Sequence, residues 1–476
     1  AEIFRHFKNP DKETVLTPWR VVNMHMSDTL GGWCFFNEQF EDDTQEEKHR
    51  LDEPRFVDQG EVTKEVFRED THILEITSKT GLYPLYVAYS VYRQKLEDTT
   101  DDDWEPAELQ AMWEEVLRDN IYVICKTPMA KYITKRTLTG YHDNVVNAHY
   151  FDDLVNMLKS KPEQFKKKIL KGSYWGKEVK EMKFDAIVGN PPYQVSDGGS
   201  KASAVPVYNM FVDTAKTISP NYISMIMPAR WFNGGRGLDD FRQKMLSDKR
   251  IAKMTDFEDS QVCFPGVDIA GGICYFLWDK HHFDMCKYKS YTAGTYEESI
   301  CDLNQFSTFI RDPRAIPIIN KVVDSAKNGF LDSYVSSQKP FGLRTFVKPL
   351  DDGDIVLRYN GGKGPYKSAD VTVNKDLIYK WKTIMSYLTY DHAGRADREG
   401  RRRIFSTMEV LKPGEICTET YILIGAFDTE IEANNQFKYL KTCFCRYMVA
   451  QVTSTQHISR SSFCYVPSQN YTNSSD

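Results

Sequence analysis

No stretch of the 476 residues approaches the roughly 18 consecutive apolar positions that a membrane span needs. The opening AEIFRHFKNP also lacks the apolar run and cleavage site of a signal peptide. A soluble, cytoplasmic protein with no membrane partner is the expectation. The ten cysteines (34, 125, 263, 274, 286, 301, 417, 443, 445 and 464) include no CxxC pair and sit mostly in apolar strings such as GGICYFLW. That excludes a zinc ribbon or a disulfide framework, so reduced core thiols and no bound metal are expected. The sequence has no HExxH, no GxSxG and no GxxxxGK(S/T), and it carries no nuclease carboxylate cluster or helicase motif. Metalloprotease, serine-hydrolase and phosphate-loop chemistry are excluded with them. It has no internal repeat and no heptad array, which rules out a solenoid or a coiled coil.

What is present is an ordinary globular composition, with 41% hydrophobic, 13% aromatic and 27% charged residues, enough for about two to four domains. The net charge of −6 hides an asymmetry. Residues 281–476 carry 25 Lys+Arg against 22 Asp+Glu, which leaves 36 against 45 in residues 1–280. From 71 to about 280, buried-strand runs alternate with helical spacing. THILEI, IYVIC, FDAIVG, YISMIMP and DIAGGICYFLW are apolar nearly throughout, as strands buried on both faces are. YPLYVAYSVYRQKLE, PAELQAMWEEVLRD, VYNMFVDTAKTI and LDDFRQKMLSD have helical periodicity. The pattern predicts a doubly wound α/β domain, in which ligands bind beyond the carboxyl ends of the strands. After about 285 come irregular strands, Gly-rich turns and an Arg cluster, so a boundary between domains is placed at 284/285. The absence of an initiator Met and a first motif only 16 residues in suggest a fragment of something longer.

The strongest chemical signal is FDAIVGNPPYQ, a buried run ending in Asn190-Pro191-Pro192-Tyr193. Two prolines fix the backbone and remove N–H donors, which leaves carbonyls free to accept from an exocyclic amine. The Asn190 amide oxygen offers a second acceptor, and Tyr193 a ring for stacking. An NH2 held by two acceptors loses conjugation with its ring, and its lone pair becomes nucleophilic.

With this motif the sequence resembles the adenine-specific (N6) DNA methyltransferases whose cofactor motifs precede the catalytic motif, the methylase modules of restriction-modification systems. The resemblance runs motif by motif over about residues 15–280. It implies a mostly parallel, Rossmann-like methyltransferase sheet in 1–284 and an α+β target-recognition domain in 285–476. By the same resemblance, Asn190, Pro191, Pro192 and Tyr193 are catalytic, and Tyr193 and the Phe264 of a Phe-Pro turn stack on the two faces of a flipped base. S-adenosyl-L-methionine is the implied cofactor. Thr17 and Pro18 in TPWRVVNMHM would open a helix over its carboxylate, Glu75 would hold its amino group, and Gly81, Cys125 and Asn190 would complete its site.

The sequence departs from the family at two points. Lys79 replaces the first glycine of the turn, and Cys125-Lys126 stands where an acid normally binds the ribose. Weaker cofactor binding, dominated by the methionine end, is the expectation. Duplex DNA is the implied partner, with Arg395, Arg398, Arg401, Arg402 and Arg403 as candidate phosphate contacts or base readers. A restriction nuclease or helicase subunit, or a missing N-terminal domain, would do the cleaving. Two other readings stay open: a methyltransferase-fold DNA-binding module that has lost its cofactor, and a glutamine or RNA methyltransferase.

Overall fold

The computed structural model describes residues 16–38, 46–98, 104–140, 142–195, 205–232, 237–292, 294–389, 401, 403–453 and 457–473. The chain forms two compact units, residues 1–305 and 306–476.

The first is built on nine strands: β1 (Ile73–Ser78), β2 (Ile121–Cys125), β3 (Asn147–Tyr150), β4 (Ala186–Gly189), β5 (Tyr222–Pro228), β6 (Ile251–Phe257), β7 (Ile273–Asp279), β8 (Cys286–Thr292) and β9 (Thr295–Cys301). Their order across the sheet is β3-β2-β1-β4-β5-β7-β6-β8-β9. Five neighbouring pairs are parallel: β2 with β3, β1 with β2, β1 with β4, β4 with β5, and β6 with β8. Only β7 against its two neighbours and the β8–β9 hairpin are antiparallel. Strands β1, β2, β4 and β5 are buried at every position, which accounts for their unbroken apolar sequences. Helices α1 (Trp19–Thr29), α2 (Leu82–Glu97), α3 (Pro106–Asp119), α4 (Pro128–Thr139), α5 (Tyr208–Ile218) and α6 (Asp239–Ser247) accompany this sheet. Their starts are encoded locally. A Glu105/Glu108 capping box with Pro106 opens α3, and the Thr127 side chain accepts from the Ala130 N–H ahead of α4.

After β1 the chain moves outward to β2 and β3, then returns to place β4 on the other side of β1. The strand order therefore reverses between β1 and β4, and in doubly wound sheets the carboxyl edge at such a reversal is where ligands bind. That edge holds the residues that follow Ser78 and Gly189.

The boundary expected at 284/285 lies instead at 305/306. β8 hydrogen-bonds to β6 and carries β9 as a hairpin, so both strands finish the first sheet. The second unit contains two three-stranded sheets. One joins 362–366, 355–359 and 415–417, and the other joins 408–411, 381–386 and 421–427, with helices Ala315–Ser325, Glu430–Leu440 and Cys443–Val452 beside them.

Candidate active site

Asn190 follows β4 directly and is 3% exposed. Its Nδ2 donates to Thr17 Oγ1 at 2.9 Å, whereas its Oδ1 is buried without a hydrogen-bond partner. An orphaned buried acceptor is costly unless a ligand satisfies it. Thr17 precedes α1, with Pro18 at the helix cap; its hydroxyl serves Asn190 and does not cap the helix.

Glu75 lies in β1 facing Gly189. A Cβ on Gly189, whose φ is +141°, would stand 3.2 Å from Glu75 Cγ, so glycine at this end of β4 makes room for the carboxyl. Burial pushes the Glu75 pKa up to about 8, against opposing pulls from the Ser78 side chain and Lys79, and its Oε2 has no hydrogen-bond partner. The end of β1 is strained at Thr77, a β-branched residue at φ +77° that breaks the register with β2 and whose hydroxyl donates to Ile76 O at 2.5 Å. Ser78 Oγ meets Thr134 Oγ1 of α4 at 2.9 Å. Gly81 caps α2 at φ +78°, and a Cβ there would come within 3.0 Å of Thr134 Cα. The surviving glycine of this turn thus allows α2 and α4 to approach closely. Cys125 is fully buried, its Sγ 3.9 Å from Thr134 Oγ1 and its pKa pushed up to about 12 by burial. The thiol faces α4 at the position where the family's acid is expected to meet the ribose.

Tyr193 and Phe264 come together as expected, but edge to face, with ring centroids 6.3 Å apart and planes at 73°. They are 8% and 2% exposed. The two rings cover each other in the geometry that aromatic pairs prefer in a core, and a base entering between them must part them. Burial raises the Tyr193 pKa well above the usual value, against an opposing pull from the Asn190 side chain beside it. Pro191 and Pro192 are buried beside it.

Sequence reasoning missed a polar network behind this site. Thr29 Oγ1 donates to His25 O at 2.8 Å and meets Ser224 Oγ at 2.7 Å, so the Ser224 hydroxyl donates to Thr29. Ser224 Oγ must then accept from His25 Nε2–H, 2.7 Å away, and His25 Nδ1 accepts from Tyr83 at 2.8 Å. Burial lowers the His25 pKa to about 3, in keeping with this neutral, singly protonated ring. The network ties α1, which follows Thr17, to β5 and to the first turn of α2. Only the mid-helix polarity of NMHMSDT could have signalled it.

Of the arginine cluster, Arg401 and Arg403 are exposed, and Arg395, Arg398 and Arg402 lie outside the described residues.

Residues 119–264, from the end of α3 to Phe264, match the model of the Eco57I restriction-modification methylase family. Over this segment the chain is similar to Eco57I-type methylases. An uncharacterized adenine-specific methylase of Mycoplasma pneumoniae (strain ATCC 29342 / M129 / Subtype 1) is 42% identical over 104 residues, 21% of this chain and 25% of that protein. Among solved structures, a nuclease-deletion mutant of the Type ISP restriction-modification enzyme LlaGI with a DNA substrate mimic aligns over 93% of this chain and 45% of its own, at 11% identity and a TM-score of 0.49. The Type IIL enzyme MmeI in complex with DNA aligns over 83% and 62%, at 10% and 0.42. The Eco57I-type match contains Asn190 to Tyr193 and ends on Phe264. The chain spans about a quarter of the length of the Mycoplasma relative. Among the described residues no helix is long and apolar enough to cross a membrane.

Proposed function

We propose that the chain transfers a methyl group from S-adenosyl-L-methionine to the exocyclic amine of an adenine flipped out of duplex DNA, as the modification component of a restriction-modification system. The observation that carries this reading is the buried, orphaned Oδ1 of Asn190 at the strand-order reversal, beside the Tyr193 and Phe264 rings. Asn190 Oδ1 and a carbonyl of the two-proline segment accept from the amine and free its lone pair. Thr17 fixes the carboxamide so that its oxygen stays turned to the base. Tyr193 and Phe264 supply the apolar surface that repays the few kcal/mol of stacking lost on flipping.

Bound S-adenosyl-L-methionine supplies an already activated methyl group. The residues present fit its methionine end. Glu75 Oε2 is a free acceptor for an ammonium, and the start of α1 after Thr17-Pro18 suits a carboxylate. They fit its ribose less well, since Cys125 faces α4. Arg395, Arg398, Arg401, Arg402 and Arg403 serve as DNA contacts, and cleavage belongs to a nuclease or helicase subunit or to a further N-terminal domain.

Nucleoside mass spectrometry after incubation with labelled S-adenosyl-L-methionine and adenine-containing duplex tests the reading. N6-methyladenine is expected; methylcytosine overturns it. The inward Cys125 and the burial that disfavours a charged Glu75 favour one alternative, a methyltransferase-fold DNA-binding module without cofactor. Calorimetric titration with S-adenosyl-L-methionine separates the two, since only the enzyme gives a binding isotherm.

A further inference from the structure

In the second unit, Phe346 is 78% exposed, the highest value for any large hydrophobic side chain among the described residues. Its loop is held rigidly at both ends. On one side Glu419 staples it: the Glu419 N–H donates to Leu343 O at 2.9 Å, and Thr345 N–H and Oγ1 donate to Glu419 Oε1 at 3.1 and 3.4 Å. Arg344 Nη1 lies 3.8 Å from Glu419 Oε2. On the other side, Leu350 N–H donates to Pro365 O at 2.8 Å. Pro349 fills the space over Gly364, where a Cβ would come within 2.6 Å of it. Between these anchors Val347 N–H donates to Arg344 O at 3.0 Å, closing a turn that presents the phenyl ring to water.

The segment that carries the ring has charge of one sign, and the acid that touches it, Glu419, is taken up by Thr345 and Arg344. Lys339, Arg344 and Lys348 lie in 339–350, which contains no acid. Lys339 and Lys348 pair with no carboxylate among the described residues, and Lys348 Nζ sits 5.1 Å over the Tyr359 ring. Of the three aspartates that follow, Asp352 faces Lys367 at 3.6 Å and Asp354 accepts from Ser368 N–H and Oγ at 2.9 and 2.5 Å, which leaves Asp351 as the one acid near Lys348 in sequence.

We infer that the 343–348 turn is a duplex-DNA contact in which Phe346 wedges against or between base pairs while Lys348 takes a backbone phosphate. A rigid apolar ring flanked by unpaired ammonium groups matches a polyanion with flat apolar steps inside it, and such wedges let proteins unstack and bend DNA. The inference rests on the proposed action on duplex DNA.

The two contacts differ in salt dependence, which gives the test. Anisotropy of a labelled mixed-sequence duplex of about 30 base pairs is followed with the full chain between about 50 and 200 mM salt. Phe346→Ala should weaken binding about ten-fold at every salt concentration and leave the log–log slope unchanged, because a stacked ring releases no counterion. Lys348→Ala should make the slope shallower by about 0.9, the share of one phosphate. Phe346→Trp should keep wild-type affinity. The exposed ring supports no core, so circular dichroism should be unchanged in all three. If the wild type binds DNA and Phe346→Ala binds equally well, the wedge is overturned and DNA methylation stands. If the wild type binds no duplex, both fall.

Discussion

The two carboxamide atoms of Asn190 are in opposite situations, one donating to Thr17 and one buried without a partner. Asn190→Ala should therefore lower methyl transfer on the order of a hundred-fold, the usual cost of removing one positioned polar group from a reacting centre. The stability cost should be confined to the one hydrogen bond to Thr17, about 1 kcal/mol, since the acceptor lost was never satisfied. Tritium transfer to adenine-containing duplex and a thermal melt, run together, check both halves. Glu75 makes a different claim at the same scale. Its folded pKa is raised from 4.5 to about 8, so between those values the unfolded chain has lost a proton that the folded chain keeps. Stability should fall as pH rises through that window. Melting curves of the wild type and Glu75→Gln from about pH 4 to 9 test it, with a flatter profile expected for the variant. The contiguous tetrapeptide made Asn190 and Tyr193 legible in the sequence. His25 was not, because its partners Tyr83 and Ser224 lie 58 and 199 residues away and meet it only in the folded chain.

Elements were legible where both faces of a strand are buried. IYVIC and YISMIMP coincide with β2 and β5, and PAELQAMWEEVLRD with α3. β6 and β8 escaped, because IAKMTDF and CKYKSYT place lysines and other polar residues among the apolar ones. Nor could the sequence reveal that the end of β1 takes a positive φ at the β-branched Thr77, in addition to the one at Gly81 in the turn that follows. The Gly81 turn gives a prediction that needs no activity. Gly81→Ala meets both a left-handed φ and the α4 backbone and should cost roughly 2 to 4 kcal/mol. Gly176→Ala, at φ +71° with open space around it, should cost only about 1 kcal/mol. Urea denaturation of the pair separates the steric cost from the backbone cost. Cys125→Asp belongs with them. A carboxylate in that core, next to Glu75, should destabilise the fold and not tighten cofactor binding.

For the whole molecule, the position of the unit boundary decides how the chain can be divided. Residues 1–305 keep β8 and β9 on β6, whereas residues 1–284 leave β6 as an unpaired edge. Expressed separately, the longer piece should run as a compact monomer in gel filtration, and the shorter one should aggregate through that edge. Equal behaviour of the two would place the boundary elsewhere. The change in rhythm after 285 was legible, but its meaning was not. Alternating CKYKSYT and TYEESIC read as the start of something new because a hairpin at a sheet margin needs only one buried face.

β7 sits between β5 and β6 although it is made after both. During synthesis, seven fully buried residues of β5 emerge with no neighbour on that side until Ile273–Asp279 leave the ribosome about 50 residues later. At 5–20 residues per second that is roughly 3 to 10 s in which the nascent sheet has an open, apolar edge. For this interval the growing chain depends on a holding chaperone or on crowding by its own α5 and α6 to keep that edge from a stranger's strand.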